Sequence, residues 1–344
     1  MSSLQPRFPE TNKKPGVVYA TDASGYELPV IDVTHPAFAL NLTAEKLAAV
    51  MEKERVRRRN WEAKPAFVRR LLLAFARRRS VLLQSLTQSE GSFLPGMSTY
   101  LMKLGADNLG AAYTKPLDRK LAADSSFVDV RLRLQTMALL VAGGLRRQLA
   151  AGAAGPIELV SIAGGPAIDA LNALIVLRKE NSAWFSGRET RIHVFDADDN
   201  GPLFGTRALA ALQSKGAPLA GMDCEFLHHS YDWNRPETLR GVLAKISSDA
   251  MTAGSSEGGL FQYGSDEAIA GNLAVLRETL PPAFTFCGSI SPDSEENRSA
   301  ARSIRIAVRR FHMADFESLV NRAGWNVTEK SLGPRTLCVR LERK

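Results

Sequence analysis

The hydrophobic pattern changes near residue 155, and this change constrains the fold more than any other feature. Up to about residue 150 apolar residues recur at helical spacing, whereas from residue 157 short apolar runs alternate with helical stretches. Such alternation is typical of parallel strands whose connecting helices cover both faces of a sheet. We therefore predict two domains: residues 1–150, helical with an irregular N-terminal arm, and residues 151–344, a doubly wound α/β domain.

Short apolar runs in the second half predict five buried strands, at residues 157–163, 191–195, 224–227, 259–263 and 284–288. After them a predicted helix is followed by two further strands, which a short turn at Gly333 and Pro334 connects. A connection that short joins antiparallel neighbours. The predicted fold class is α/β: a seven-stranded, mostly parallel, doubly wound sheet with an antiparallel C-terminal strand, preceded by an all-helical N-terminal domain.

The net charge of +8 is concentrated in residues 51–80, where eleven Lys or Arg accompany three Glu. Within this window Val68, Leu71, Leu72 and Phe75 recur at helical spacing, which predicts an amphipathic helix whose arginines face water. This interpretation disfavours a nucleic-acid partner. The sequence contains no run of 18 apolar residues and no secretory signal, so we expect a cytoplasmic protein without a membrane partner.

The first predicted strand runs directly into a glycine-rich turn, Ala163, Gly164, Gly165 and Pro166, and a helix follows. A turn of this kind presents backbone N–H groups and the positive end of a helix dipole to a ligand. The dinucleotide fingerprint G-x-G-x-x-G requires glycine at positions 163, 165 and 168, and of these only Gly165 is present. The sequence therefore disfavours a nicotinamide-dependent oxidoreductase.

This turn resembles the first motif of class I S-adenosylmethionine-dependent methyltransferases, an acid followed by three glycines at alternate positions. In this chain the motif falls on Ser161, Ala163, Gly165 and Ala167, so serine replaces the acid and alanine replaces two glycines. The closing helix and antiparallel strand pair are also similar to that family. The resemblance implies S-adenosyl-L-methionine as cofactor and a small-molecule acceptor enclosed between the helical domain and the sheet.

The same resemblance assigns the acid at the end of the second strand, Asp196, to the two ribose hydroxyls of the cofactor. The other contacts are expected at the carboxyl ends of neighbouring strands and on the helix before the sheet. The predicted cofactor-binding residues are Ala163, Gly164, Gly165, Pro166, Asp196, Ala197, Asp198, Ser230, Tyr231, Gln262 and Arg133.

Methyl transfer to a hydroxyl benefits from a general base, and histidine is suited to that role near neutral pH. The candidate catalytic residues are His228, His229 and His312. The predicted substrate contacts are Tyr263, Tyr100 and Trp233.

No metal site is predicted. Residues 196–201 resemble the start of a calcium-binding loop, but the twelfth position, which requires Glu, is Arg207. His228 and His229 are adjacent on a strand, so their side chains point to opposite faces.

The favoured function is methyl transfer to an oxygen or nitrogen of a small molecule. Two alternatives stay open: an RNA or protein methyltransferase that uses the basic 51–80 face, and a non-catalytic nucleoside-binding protein. The sequence also leaves open whether the chain forms a homodimer.

Overall fold

The structure, a computed structural model, describes residues 7–80, 82–83, 96–110, 115–298 and 308–344. Within the described ranges, the N-terminal half includes a strand pair and five α-helices whose bounds follow. These elements are β1 (Tyr19–Thr21), β2 (Glu27–Pro29), α1 (Ala44–Glu62), α2 (Ala66–Arg79), α3 (Gly96–Leu104), α4 (Pro116–Ala122) and α5 (Ser125–Ala150).

The pair β1–β2 corrects the prediction that the arm is irregular and the N-terminal half all helical. Its strands have three residues each, which is too short to show an alternating pattern in the sequence. The Asp22 carboxylate closes the turn by accepting hydrogen bonds from the N–H groups of Ser24 and Tyr26, at 2.9 and 2.8 Å. Asn172 then fixes the arm through hydrogen bonds with the backbone of Ile31 and Val33.

Strands and helices alternate in the C-terminal half. These elements are β3 (Ile157–Ile162), α6 (Ile168–Glu180), β4 (Thr190–Asp196), α7 (Asn200–Leu212), β5 (Cys224–Ser230), α8 (Glu237–Leu243), β6 (Met251–Ser256), α9 (Leu260–Tyr263), α10 (Asp266–Thr279), β7 (Thr285–Pro292), β8 (Arg310–Phe311), α11 (Met313–Arg322), β9 (Trp325–Leu332) and β10 (Leu337–Arg343).

The main sheet confirms the predicted fold class. Its strand order is β5–β4–β3–β6–β7–β10–β9, and β10 runs antiparallel to both of its neighbours while β3 to β7 are parallel. All six residues of the central strand β3 are buried, as expected for a strand covered on both faces. Ile157 and Leu159 belong to one hydrophobic core, and Val160 and Ile162 belong to the other.

The fourth strand is not where the sequence pattern predicted it. It is β6, at Met251–Ser256, whereas residues 260–263 of the predicted strand form the short helix α9. After Thr252 this strand consists of Ala, Gly and Ser residues with weak strand propensity, so its pattern does not identify it. Close packing requires them: a Cβ atom on Gly254 would lie 2.8 Å from the Phe284 ring.

Helix α5 packs along the sheet although it precedes the predicted domain boundary. The Gln148 side chain forms two hydrogen bonds with the backbone of Thr252 in β6, at 2.9 and 3.0 Å. Near the same end of α5, Arg147 pairs with Glu342 of β10. The boundary at residue 150 stays a prediction.

None of the helices in the described ranges combines the length and apolarity needed to cross a bilayer.

Candidate functional site

The turn between β3 and α6 has an unusual backbone. Ala163, Gly165 and Ala167 have φ values of +52°, +54° and +47°, which places all three in the left-handed region. Ala163 and Ala167 are the two non-glycine residues with positive φ in the part of the chain that the structure describes. A side chain in this conformation costs about 1–2 kcal/mol. The turn thus keeps a glycine-type geometry at the alternate positions where alanine has replaced glycine.

Asp196, the last residue of β4, holds this turn in place. One carboxylate oxygen accepts a hydrogen bond from the Gly165 N–H at 2.7 Å, and the other accepts one from the Asp198 N–H at 2.9 Å. Burial raises the pKa of Asp196, although these two hydrogen bonds oppose the shift. The carboxylate therefore lies against the glycine-rich turn, at the carboxyl ends of β3 and β4.

Three glycines from other segments pack directly on the turn. A Cβ atom placed on Gly96 or Gly201 would lie 2.9 or 2.8 Å from the Cα of Gly165. A Cβ atom on Gly259 would lie 2.6 Å from the Cβ of Ala163. Since Gly96 begins α3, the N-terminal half is in backbone contact with the turn. Glycine is required at these positions because any side chain would collide.

A buried group of charged residues lies next to the end of β6. Glu257 follows this strand directly, and its carboxylate pairs with Lys103 of α3 and, at 2.7 Å, with Arg133 of α5. All three side chains are buried. Burial alone would raise the pKa of Glu257, but the two cations outweigh it and the pKa is lowered. The N-terminal half is therefore joined to the strand ends by a buried ion cluster.

Asp169, in the first turn of α6, adds a second carboxylate to this region. It is 1% exposed, and burial raises its pKa, with the negative charge of Glu257 acting in the same direction. Lys103 opposes the shift. The region thus combines two cations and two carboxylates away from water. Sequence reasoning found Arg133 but missed Lys103, Asp169 and Glu257, because their segments are far apart in the chain.

The structure brings seven of the predicted cofactor residues together. They lie on the turn or on the loop that Asp196 joins to it. These residues are Ala163, Gly164, Gly165, Pro166, Asp196, Ala197 and Asp198.

Other predicted contacts have hydroxyl groups with partners inside the protein. The Tyr231 hydroxyl donates to Asn272 at 2.6 Å, and the Tyr100 hydroxyl donates to the Pro29 carbonyl at 2.6 Å. Both tyrosines are buried. Ser230 is exposed at the end of β5, so it is the more accessible of the two predicted adenine contacts there.

Gln262 and Tyr263 do not end a strand, as the sequence pattern predicted, but lie on α9. Gln262 is buried, and its side-chain amide donates to Ser289 of β7 at 3.4 Å. Trp233, beyond β5, packs partly buried against the core, and its carbonyl accepts a hydrogen bond from Asn272. The residue that does follow β6 on the ligand side is Glu257.

The three candidate histidines do not form one group. A ring nitrogen of His228 lies 3.0 Å from the Asp196 carbonyl oxygen, whereas His229 contacts His193 at 3.1 Å on the other face of β5. His312 pairs with Asp293 beyond β7. β5 and β7 are four strand spacings apart, about 19 Å, so His312, which follows the short strand β8 beside β7, belongs to a different part of the sheet edge from His228.

Burial and the nearby His193 lower the pKa of His229 to about 4, so its imidazole is neutral at neutral pH. His193 in turn contacts the buried Glu158 carboxylate at 2.9 Å. Glu158, His193 and His229 thus form a polar chain across β3, β4 and β5 on one face of the sheet. Of the three histidines, His228 lies nearest to the backbone of Asp196 and the turn.

Comparison with known proteins supports the fold. No family model and no curated protein matches the chain. A possible exported protein from Bordetella parapertussis is similar in structure, with a TM-score of 0.55 and 15% identity over 86% of this chain and 95% of that one.

Two methyltransferases are also among the solved structures similar to this chain. Magnesium protoporphyrin IX methyltransferase from Synechocystis, with bound S-adenosylhomocysteine, has a TM-score of 0.41 and 10% identity over 64% of this chain and 87% of its own. Mitomycin 7-O-methyltransferase has a TM-score of 0.40 and 15% identity over 88% and 76%. With TM-scores below 0.5 and identities of 10% and 15%, these two similarities support no conclusion about this chain.

Proposed function

We propose that the chain is an S-adenosyl-L-methionine-dependent methyltransferase that acts on an oxygen or nitrogen of a small molecule. One observation carries the proposal: the left-handed turn at residues 163–167 is hydrogen-bonded to the carboxylate of Asp196 at the carboxyl edge of the sheet. A ligand in an open α/β sheet binds at this edge, where the strand order reverses. A cytoplasmic location and a homodimer stay predictions.

Asp196 is suited to the ribose. Each of its oxygens accepts one backbone N–H, and a carboxylate oxygen has a second lone pair with which to accept a hydroxyl. Gly164 and Gly165 leave the approach to the turn without side chains, and Ala197, Asp198 and Ser230 border it. Because Gly96 contacts Gly165 directly, α3 must separate from the turn when a nucleoside binds.

The buried ion cluster fits the amino-acid end of the cofactor. Lys103 and Arg133 supply the cations that a ligand carboxylate requires, and Glu257 and Asp169 supply the carboxylates that an ammonium group requires. A zwitterion would exchange one of the two ion pairs that Glu257 makes for two pairs between the ligand and the protein. The residues present therefore fit an α-amino acid at this position.

When bound, the cofactor supplies a methyl group on a positively charged sulfur. The protein contributes alignment, which is worth about 7–11 kcal/mol when the reacting atoms are held at attack distance. The His228 Nε2–H donates to the Asp196 carbonyl, so Nδ1, 3.7 Å from a carboxylate oxygen of Asp199, is the nitrogen that can accept a proton. His229, which is neutral, contacts His193 instead. Tyr263 and Trp233 stay the predicted substrate contacts, whereas the buried Tyr100 hydroxyl serves the N-terminal arm.

Calorimetry with S-adenosylmethionine and S-adenosylhomocysteine tests the proposal. We expect binding by the wild type and at least about tenfold weaker binding by Asp196→Ala, since a hydrogen bond to a charged group contributes about 1.5–3 kcal/mol. Asp223→Ala is the matched control, because Asp223 is exposed and lies at the opposite end of β5. Absence of binding by the wild type, together with no bound cofactor in native mass spectrometry, would refute the proposal.

A non-catalytic nucleoside-binding protein is the second candidate. Ser161 in place of the motif acid and the enclosed turn favour it, since both reduce contact with the cofactor. Formation of S-adenosylhomocysteine in the presence of any acceptor would exclude this alternative.

A further inference from the structure

Helix α2 combines a high positive charge with many apolar side chains. Its fourteen residues, Ala66–Arg79, include five arginines and no acid. The helix also contains six large apolar residues: Phe67, Val68, Leu71, Leu72, Leu73 and Phe75. The sequence pattern predicted an amphipathic helix whose arginines face water.

In the structure the apolar residues of this helix are exposed to water as well. Phe67, Leu71 and Phe75 are 74%, 72% and 53% exposed, and their spacing of four residues places them on one face of the helix. Leu72 and Leu73 are 40% and 39% exposed. No side chain described on α2 from residue 66 to 79 is buried. We call Phe67, Leu71 and Phe75 the apolar stripe.

A helix of this length that buries no apolar face is marginally stable in water, so the stripe requires a covering surface. The charge of the helix limits the kinds of partner that could cover the stripe. Among the described residues no acid lies within ion-pair distance of Arg69, Arg70, Arg78 or Arg79, and the Arg79 guanidinium stacks on Phe75, 4.2 Å from the ring centroid. A second copy would bring the same arginines together, so the partner is anionic.

The stripe also distinguishes between anionic partners. RNA binds through aromatic stacking and hydrogen bonds to its bases, for which an aliphatic residue at the centre of the stripe is poorly suited. An anionic lipid surface takes up both kinds of side chain, because aromatic and aliphatic groups enter the boundary of the acyl chains while arginines contact the phosphates. Basic amphipathic helices of this composition are typical of membrane-surface binding.

We propose that α2 docks the protein on an anionic lipid surface, with the apolar stripe inserted at the interface and the arginines of the helix on the lipid phosphates. The expectation of no membrane partner came from the lack of an apolar run long enough to span a bilayer. A helix that lies on the surface needs no such run. The proposal is independent of the methyltransferase activity.

Co-sedimentation of the full chain with vesicles tests it. We expect binding to vesicles of phosphatidylcholine and phosphatidylglycerol in equal parts, and none to phosphatidylcholine alone. The variant Phe67→Ser/Leu71→Ser/Phe75→Ser should bind at least about tenfold more weakly, since three apolar insertions are lost. Leu332→Ser is the matched control, because Leu332 is also 74% exposed but lies on β9.

A second variant distinguishes the contribution of the arginine charges from that of the inserted apolar stripe. Replacing Arg69, Arg70, Arg78 and Arg79 by Gln should abolish the preference for the anionic vesicles and the weakening of binding by salt. All these side chains are outside the core, so both variants should melt at the wild-type temperature. If the wild type does not sediment with anionic vesicles, or if the triple variant binds them as well as Leu332→Ser, the proposal is wrong.

Two further results would show that the partner of α2 is not a lipid surface. Retention of RNA on a filter without vesicle binding would identify a nucleic-acid surface. Conversion of a dimer to a monomer by the triple variant, again without vesicle binding, would identify a second copy as the occupant.

Discussion

The α1–α2 segment and the sheet are held in place by different forces. Neither helix buries a side chain among those the structure describes, and α1 is attached through charges: Arg335 pairs with Glu54 at 2.8 Å, and Arg58 donates to the Glu296 carbonyl at 2.7 Å. In contrast, every residue of β3 is buried. Apolar burial therefore fixes the sheet, whereas ion pairs and hydrogen bonds attach the α1–α2 segment and leave its apolar groups available.

The largest expected difference is between two phenylalanines. Phe316 is fully buried among Phe261 and Phe311, so Phe316→Ala should lower the free energy of unfolding by about 3–5 kcal/mol. Phe67→Ala, on the exposed stripe, should change it by less than about 0.5 kcal/mol. Urea denaturation measures both. Similar losses for the two variants would mean that α2 is packed in solution and would remove the contrast.

The loss of unfolding free energy on breaking an ion pair should likewise depend on whether the pair is buried. Glu257→Ala leaves Lys103 and Arg133 buried without their carboxylate, and we expect a loss of about 3–5 kcal/mol in the free energy of unfolding. Glu278→Ala removes the partner of Arg240 in an exposed pair and should cost less than about 1 kcal/mol. A small effect of Glu257→Ala in the same denaturation experiment would show that water reaches the cluster.

Asp169 should give the buried cluster a pH dependence. Because its folded pKa is raised, the wild type is favoured at a pH below the unfolded value, near 3.9, and loses that advantage as the pH rises through the folded pKa. Asp169→Asn should therefore be more stable than the wild type at neutral pH, and the difference should disappear in acid. Thermal melts from pH 3 to 8 check this; a constant difference would contradict it.

The smallest effect concerns the left-handed alanines. Replacing alanine by glycine in a helix costs about 0.5–1 kcal/mol, and Ala173→Gly in α6 should show this loss. At Ala163 and Ala167 the relief of backbone strain offsets that cost, so glycine there should be neutral or stabilising by up to about 1 kcal/mol. Losses equal to that of Ala173→Gly would show that the turn relaxes in solution.

The fold was predictable wherever burial leaves a pattern in the sequence. In β3, for example, four of six residues are apolar and all six are buried, and the short connection between β9 and β10 required antiparallel neighbours. β6 was missed because small residues are selected there by close packing, as at Gly254 against Phe284, and not by strand propensity. The apolar face of α2 was recognised, but a sequence pattern does not state what covers that face.

The candidate site was predictable only where its residues are neighbours in the sequence. The turn and Asp196 lie at the ends of two recognisable strands, and the structure joins them through the Gly165 N–H. Lys103 and Glu257 are 154 residues apart. No spacing rule connects them, so their pairing depends on how α3 docks against the strand ends.

The glycine contacts around the turn have a kinetic consequence. If a nucleoside binds at Asp196 as proposed, the close packing of Gly96 on Gly165 requires α3 to move outward first, and the rarity of that open form would reduce the apparent affinity. The observed association rate should then level off as cofactor concentration rises, at the speed of helix opening. The substitution Gly96→Ala would place a methyl group against Gly165. It should destabilise the closed form and therefore increase the rate at which the cofactor enters.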